Sequence, residues 1–475
     1  MSQKPVIHWF RRDLRMRDNI ALHHACESDH PVIALFVIDT HLLKAERVGA
    51  PRLRFMLDAL QSLDQSLQEK NTRLLVRHGK PQDIIPALVD ELDVQALYFN
   101  RDYSPYARQR DEAIEESLEI PVCVYDDAIL MPPGSILKGD GDPYKVYTYF
   151  WKKWKKVNKP EVSVRHFRDE WFYDLSNVKN DGIPSLDELG FEDAPLIVEA
   201  SEDKALSMLD EFIDENIKHY GERRNWLPIH PYDDERPNGT SYLSPFLRLG
   251  LLSPRQAYWA AREAYGNTSS KNYKESIETW VSELAWREFY THIMYFFTHV
   301  LENDFVDTYE TMQWDDDAES LQAWKDGMTG YPVVDAAMRQ LKAIGWMPNR
   351  ARMIVASFLT KDLLIHWKHG DVHFMRHLID GDPASNNGGW QWAAGTGTDA
   401  QPYFRIFNPV SQSEKYASVE YLQHWLPELA DVPEKHIHAP WEMDTPPADY
   451  PAPIVDHSAA RERTLNAFKE ARGET

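Results

Sequence analysis

Over the first third of the chain, short apolar runs alternate with amphipathic stretches. Val6-Ile-His-Trp-Phe10, Val32-Ile-Ala-Leu-Phe-Val-Ile38, Leu74-Leu-Val76, Ala96-Leu-Tyr-Phe99 and Val122-Cys-Val-Tyr125 have the length of strands. Leu53, Met56, Leu57, Leu60, Leu63 and Leu67 recur at helical spacing between the second and third of them. This alternation predicts an α/β domain over residues 1–130, a doubly wound parallel sheet with helices on both faces.

From Met131 the pattern dissolves into Pro, Gly and charge, and residues 131–205 read as an interdomain connector. Lys152, Lys153, Lys155 and Lys156 around Trp154 read as a solvated helix face, with a DNA or partner contact as the alternative. Beyond residue 206 strand patterns vanish, and residues 206–475 are expected to be all-helical. Ser253-Pro254-x-Gln256 has the serine cap, early proline and returning glutamine of a helix start. Trp280 to Phe297, Asp335 to Ile344 and Met353 to Trp367 read as further helices, with no internal repeat.

Composition narrows the class. Length 475 is comfortable for two cores, and 43% hydrophobic with 27% charged residues is the profile of a soluble globular protein. No apolar stretch has the ~18 residues a membrane span needs, and no signal-peptide core precedes Arg11, so a cytoplasmic location without membrane contact is expected. Cys26 and Cys123 give neither a disulfide framework nor a CxxC metal spacing. A net charge of -23 argues against a protein coating nucleic acid over its whole surface, but leaves room for a local basic cleft. Only Trp9, Trp151, Trp154 and Trp171 of the 16 tryptophans precede residue 200, so indole chemistry belongs to the later part.

Gly239-Thr-Ser-Tyr-Leu-Ser244 brings hydroxyls and backbone N–H groups toward an expected helix N-terminus, a phosphate-binding arrangement and equally an ordinary cap. Glu283, Trp286, Arg287 and Tyr290 share one helical face. Trp346-Met-Pro-Asn349-Arg350-Ala-Arg352-Met353 sets amide and guanidinium groups beside an indole, suited to phosphates and base edges. The densest run is Leu378-Ile-Asp380-Gly-Asp382, continuing through Asn386-Asn-Gly-Gly-Trp390-Gln-Trp392. His366, His369, His373 and His377 mimic a metal stripe, but Gly370 is read as interrupting their helix, and no metal is expected.

With WFRRDLR, LSPRQ, SELAWREFY, GYPVVDAAMRQL and NNGGWQWAAGTGTD together, the sequence resembles the photolyase and cryptochrome family, nearest its class I cyclobutane-dimer photolyases. The resemblance implies an N-terminal antenna domain and a helical domain holding FAD. It assigns flavin contacts to Tyr220, Thr240, Ser241, Tyr242, Leu243, Ser244, Asn349, Arg352, Asp380, Gly381, Asp382 and Asn386. Asn386 would face flavin N5, where a neutral amide accepts the N5–H bond of reduced flavin. Trp390, Trp367 and Trp314 would form an electron-hopping chain running from flavin to surface. Trp286 and Trp392 would stack on a flipped-out pyrimidine dimer, Met353 would pack against it, and Glu283 and Asn349 would bond its edges. Arg287 and Tyr290 join this substrate set through the shared face with Glu283. Arg224, Arg350 and Gln412 would contact DNA. The resemblance also implies that the dimer is flipped out of the duplex before it is split.

The implied activity is light-driven splitting of dimers in ultraviolet-damaged DNA by electron donation from reduced FAD. A blue-light photoreceptor without repair is the alternative. Repair of (6-4) lesions would call for a histidine within Met347–Met353, where none occurs. Plant cryptochromes carry aspartate and animal ones cysteine where Asn386 stands, and no long signalling tail is expected. An antenna chromophore is also implied, its identity open among methenyltetrahydrofolate, a deazaflavin and a second flavin. The Asn-Glu pair of folate-using members is replaced here by Tyr106-Ala107. A monomer is expected.

Overall fold

The computed structural model describes residues 4–229, 239–309 and 311–474, which fall into two compact units. The first comprises Met1–Tyr144, Thr148–Lys218 and Ser241–Phe296; the second comprises Lys145–Tyr147, His219–Thr240 and Phe297–Thr475.

In the first unit, β1 (Val6–Phe10), β2 (Val32–Asp39), β3 (Leu75–Gly79), β4 (Leu97–Asn100) and β5 (Val122–Tyr125) form one sheet in the order β3-β2-β1-β4-β5. Every pairing is parallel, with Val6 opposite Val32, Leu35 opposite Leu75 and Leu97 opposite Val122. β1 and β2 are buried along their whole length, as unbroken apolar runs in a parallel sheet require, whereas the edge strand β5 is half-buried. The helix α1 (Ala50–Gln68) turns Leu53, Leu57, Leu60, Leu63 and Leu67 inward, as their spacing predicts, with Met56 half-buried.

The same unit contains α2 (Ser244–Leu249), α3 (Pro254–Asn267) and α4 (Lys271–Phe296). α3 opens on a complete capping box: Gln256 N–H donates to Ser253 Oγ at 3.0 Å, and Ser253 N–H to Gln256 Oε1 at 2.9 Å. The four lysines of the connector are exposed around buried Trp154.

The second unit contains the helices α5 (Pro332–Ile344), α6 (Asn349–Ser357), α7 (Trp367–His377), α8 (Pro383–Ala394), α9 (Pro409–Tyr416) and α10 (His457–Ala471). Trp324, Val334, Leu341, Val355, Phe358, Trp367 and Trp390 belong to its main core. Two helix expectations fail here. The stretch Met353 to Trp367 is not one helix: α6 stops at Ser357, Phe358–Asp362 forms a wider π turn, and Leu364 takes a left-handed φ of +57° before α7 begins. All five residues of the π turn stay buried, and apolar spacing reports burial rather than the hydrogen bonds that break a helix. Gly370 does not interrupt a helix either; α7 runs through it.

Gly370 has another reason to be glycine. A Cβ there would lie 2.1 Å from Cη2 of the Trp390 ring, so the missing side chain is the space the indole occupies. No helix among the described residues is long and apolar enough to cross a membrane.

Candidate functional site

In the first unit, the basic motifs fold inward. Arg15 donates to both oxygens of Asp127 at 2.8 and 2.7 Å, and Arg255, from the SPRQ motif, reaches Asp127 at 2.6 Å and Asp18 at 2.9 Å. All four side chains are about 1% exposed. Arg11 pairs with Asp111 at 2.6 Å and also donates to the Asn100 carbonyl at the end of β4. Gly250, at φ +68°, lets this region close, because a Cβ there would meet the Arg12 carbonyl at 2.2 Å.

Helix α4 presents Glu283, Trp286, Arg287 and Tyr290 on one half-buried face, as their spacing predicts. The Trp286 and Tyr290 rings lie 5.5 Å apart at 32°, an offset pair of planes. Arg287 has a structural task that the DNA-contact expectation did not foresee: its guanidinium donates to the carbonyls of Ala128 at 2.8 Å and Leu247 at 3.2 Å. Glu288, quoted within its motif but not singled out, is the buried acid of this helix. It accepts from Leu130 N–H at 2.5 Å, Met131 N–H at 3.2 Å and Trp154 Nε1–H at 2.6 Å, and burial pushes its carboxyl up to about 7.

The Gly239–Ser244 stretch differs from expectation in detail. Helix α2 is a short helix, its cap residue Leu243 offers no side-chain bond, and Ser244 is exposed. Tyr242 is buried with φ +52°, Thr240 is half-buried, and Ser241 Oγ accepts from Trp280 Nε1–H at 3.2 Å.

In the second unit, Arg352 donates to Asp380 Oδ2 at 2.8 Å and to the Met347 carbonyl at 2.8 Å. The other oxygen, Asp380 Oδ1, is buried with no hydrogen-bond partner. Asp382 caps α8 by accepting from Ala384 and Ser385, both at 3.1 Å, and Gly381 beside it is buried. Asn386 Nδ2 donates to the side chain of Asp371 at 2.6 Å and to its carbonyl at 3.0 Å. Because those oxygens only accept, the amino end of the amide is fixed on Asp371 and the carbonyl end faces away as an acceptor.

Trp390 and Trp367 are core residues at 2% and 0% exposure, and half-buried Trp314 packs against the same core. Asn349 is exposed at the start of α6; Met353 and Trp392 are half-buried. Arg350 donates to Asn225 Oδ1 at 2.9 and 3.1 Å and lies 4.4 Å from the Tyr416 ring centroid. Burial lowers its pKa, and the nearby charge of Arg224 adds to this. Arg224 itself lies 5.4 Å from the centroid of buried Tyr220, and Gln412, on α9, has its side-chain oxygen buried without a partner. Arg224 and Arg350 thus place two like charges near each other.

The histidine stripe has other partners. His366 caps α7 and packs on Trp314, while His373 and His377 lie against each other at 4.2 Å. Among the described residues, no three His, Cys, Asp or Glu side chains are grouped to hold a metal.

Comparison with known proteins identifies the family. Residues 6–166 match the DNA photolyase family model and residues 280–470 the FAD binding domain of DNA photolyase. A deoxyribodipyrimidine photo-lyase of Halobacterium salinarum is 41% identical over 98% of this chain and 99% of its own. The crystal structure of a bacterial class III photolyase from Agrobacterium tumefaciens superposes with a TM-score of 0.89 at 34% identity, covering 100% of this chain and 98% of that one. An archaeal photolyase from Sulfolobus tokodaii with two FAD molecules gives 0.82 at 31% identity, covering 98% of this chain and 100% of that one. The chain belongs to the DNA photolyase family, as an enzyme carrying that family's FAD-binding domain.

The residues fit FAD. Asp380 Oδ1 is a buried acceptor lacking a donor, and the Asn386 carbonyl is an oriented acceptor; a flavin ring presents N–H donors of the kind both need.

Proposed function

We propose that this chain uses light to split cyclobutane pyrimidine dimers in ultraviolet-damaged DNA. FAD, when bound, supplies one-electron chemistry: donation to the dimer when reduced and excited, and uptake from indole when oxidised and excited. Asp380, steadied by Arg352, and Asn386 would hold the flavin ring. Tyr220, Thr240, Ser241, Tyr242, Leu243, Ser244, Asn349, Gly381 and Asp382 are its further proposed contacts.

The observation that carries the reading is the Asn386 amide. Its amino end is committed to Asp371, which leaves a neutral carbonyl that would accept from reduced flavin, where plant cryptochromes carry an acid and animal ones a thiol. In the first unit, Glu283, Trp286 and Tyr290 offer an edge acceptor and two planes. In the second, Asn349, Met353 and Trp392 offer an amide, a thioether and a third plane, with Arg224, Arg350 and Gln412 as the DNA rim. Trp390, Trp367 and Trp314 relay electrons outward-in, refilling the indole that is oxidised first.

At the antenna position, Tyr106 donates to Asp39 at 2.5 Å and stacks on His41 at 5.1 Å. Tyr106-Ala107 replaces the Asn-Glu pair of folate-using members, which speaks against a folate and leaves a deazaflavin or a second flavin as the proposed second chromophore.

The test is light-dependent loss of thymine dimers from an irradiated oligonucleotide, using chemically reduced holoprotein and a dark control. Loss only in the light supports repair. No loss with FAD bound and reduced favours the photoreceptor.

A further inference from the structure

In the second unit, the indole Nε1–H of Trp367 donates a 2.6 Å hydrogen bond to Asp304 Oδ1. Trp367 is fully buried and Asp304 is 5% exposed. The two are 63 residues apart, so only the fold brings them together.

The loop carrying Asp304 is tied to the helix carrying Trp390. Gln391 Nε2 donates to the carbonyls of Val300 at 2.8 Å and Asn303 at 3.1 Å, and its Oε1 accepts from Phe305 N–H at 2.9 Å. Asn387 adds a bond to the Val300 carbonyl at 2.8 Å, and Val306 N–H reaches the Thr396 carbonyl at 3.0 Å. These bonds flank Asp304 on both sides and hold its carboxyl at the indole.

A carboxylate is a costly acceptor to bury, and a neutral amide or backbone carbonyl would satisfy an indole N–H equally well. Its charge matters once the indole itself becomes charged, because a partner at hydrogen-bond distance in a low-dielectric core is scarcely screened. We infer that Asp304 tunes Trp367, stabilising the positive charge that this indole carries after giving up an electron.

The inference rests on the relay reading above. Trp390 loses one electron to the light-excited oxidised flavin; Trp367 refills Trp390 and becomes a radical cation; Trp314 refills Trp367 and is left oxidised. One electron moves at each step, and the Nε1 proton stays on Trp367 within its bond to Asp304. The Trp367–Asp304 pair passes from a net negative charge to neutrality, instead of from neutrality to a buried cation. His366, 5.4 Å from Trp367 and 5.2 Å from Trp314, is pushed down to about 4 by burial and brings no opposing charge at neutral pH. The Lys368 ammonium lies 6.0 Å from the Trp367 centroid, but it is partly exposed and paired with Glu302 at 4.0 Å. Water and that partner screen it, whereas Asp304 acts from within the core.

The experiment uses oxidised holoenzyme of wild type, Asp304→Asn, Asp304→Glu, Asp304→Ala and Trp367→Phe. It measures the quantum yield of flavin photoreduction, the transient tryptophan-radical absorption and the indole N–H resonances of ¹⁵N-labelled protein in the dark. Asp304→Asn keeps an acceptor but no charge. Its yield should fall about tenfold, the ratio that ~1.4 kcal/mol of lost stabilisation produces, with faster radical decay. Asp304→Glu should recover most of that loss. In Asp304→Ala the Trp367 N–H resonance should move upfield. Wild-type yield in Asp304→Asn and Asp304→Ala, with Trp367→Phe inactive in photoreduction, would overturn the inference and leave the relay standing. Normal photoreduction in Trp367→Phe would instead sink the relay, and the inference with it. Should Asp304→Ala fail to fold, the Asn and Glu variants still decide between charge and shape.

Discussion

Buried charge serves opposite ends in the two units. In the first, Asp18 and Asp127 are surrounded: both oxygens of each accept hydrogen bonds, from Arg15, Arg255, Ser253 and backbone N–H groups. In the second, Arg352 satisfies one oxygen of Asp380 and leaves the other buried without a donor, while Asp371 fixes one end of Asn386 and leaves the other end open. Carboxylates whose oxygens are all occupied have nothing left to offer a ligand's donors. An unsaturated one keeps a desolvation cost that a bound donor removes. Motifs rich in arginine are therefore poor guides to a DNA surface until their partners are counted.

The largest test of that contrast is Arg255→Met. It leaves two buried carboxylates short of a countercharge, and should lower unfolding stability by about 3–5 kcal/mol in urea titrations. A loss below ~1 kcal/mol would mean that the network is not closed in solution.

Glu288 lies between the two cases, a buried acid saturated by neutral donors. Its pKa is raised from 4.5 to about 7, so between those values the unfolded chain has lost the proton while the folded one keeps it. Stability should thus fall as pH rises through that window, by up to about 3 kcal/mol. Glu288→Gln should flatten this slope, and melts at several pH values will show whether it does.

Asp380→Ala should weaken flavin binding by about 1.5–3 kcal/mol, roughly ten- to hundredfold, in a titration of flavin-free protein. Melting of the flavin-free protein should scarcely change. Equal damage to both would make Asp380 a structural residue like Asp127. Gly370→Ala is the smallest intervention. Overpacking against the Trp390 ring should cost ~1–3 kcal/mol and alter the near-ultraviolet dichroism of the indoles. An unchanged spectrum would show that the ring has room to move.

Much of the fold was legible from local pattern. The strand runs β1 to β5, the inward leucines of α1 and the capping box of α3 depend on neighbours a few residues away, which the sequence displays directly. The helical face of Glu283, Trp286 and Tyr290 was legible for the same reason. The break at Phe358–Asp362 was not, because a buried π turn keeps the apolar run intact. Gly370 looked like a helix breaker because its true neighbour, Trp390, is 20 positions away.

The sequence alone determined which residues could carry charge, stack or donate, and where most strands and helices begin. Tertiary structure decided which of them were spent on each other. Arg15 and Asp127 stand 112 positions apart, and Trp367 and Asp304 stand 63 apart. Hydrogen bonds act over about 3 Å, so pairings at such separations exist only once the chain has closed around them. The same closure sets apart the acceptors that remain open, and those are what a cofactor or a transient charge can use.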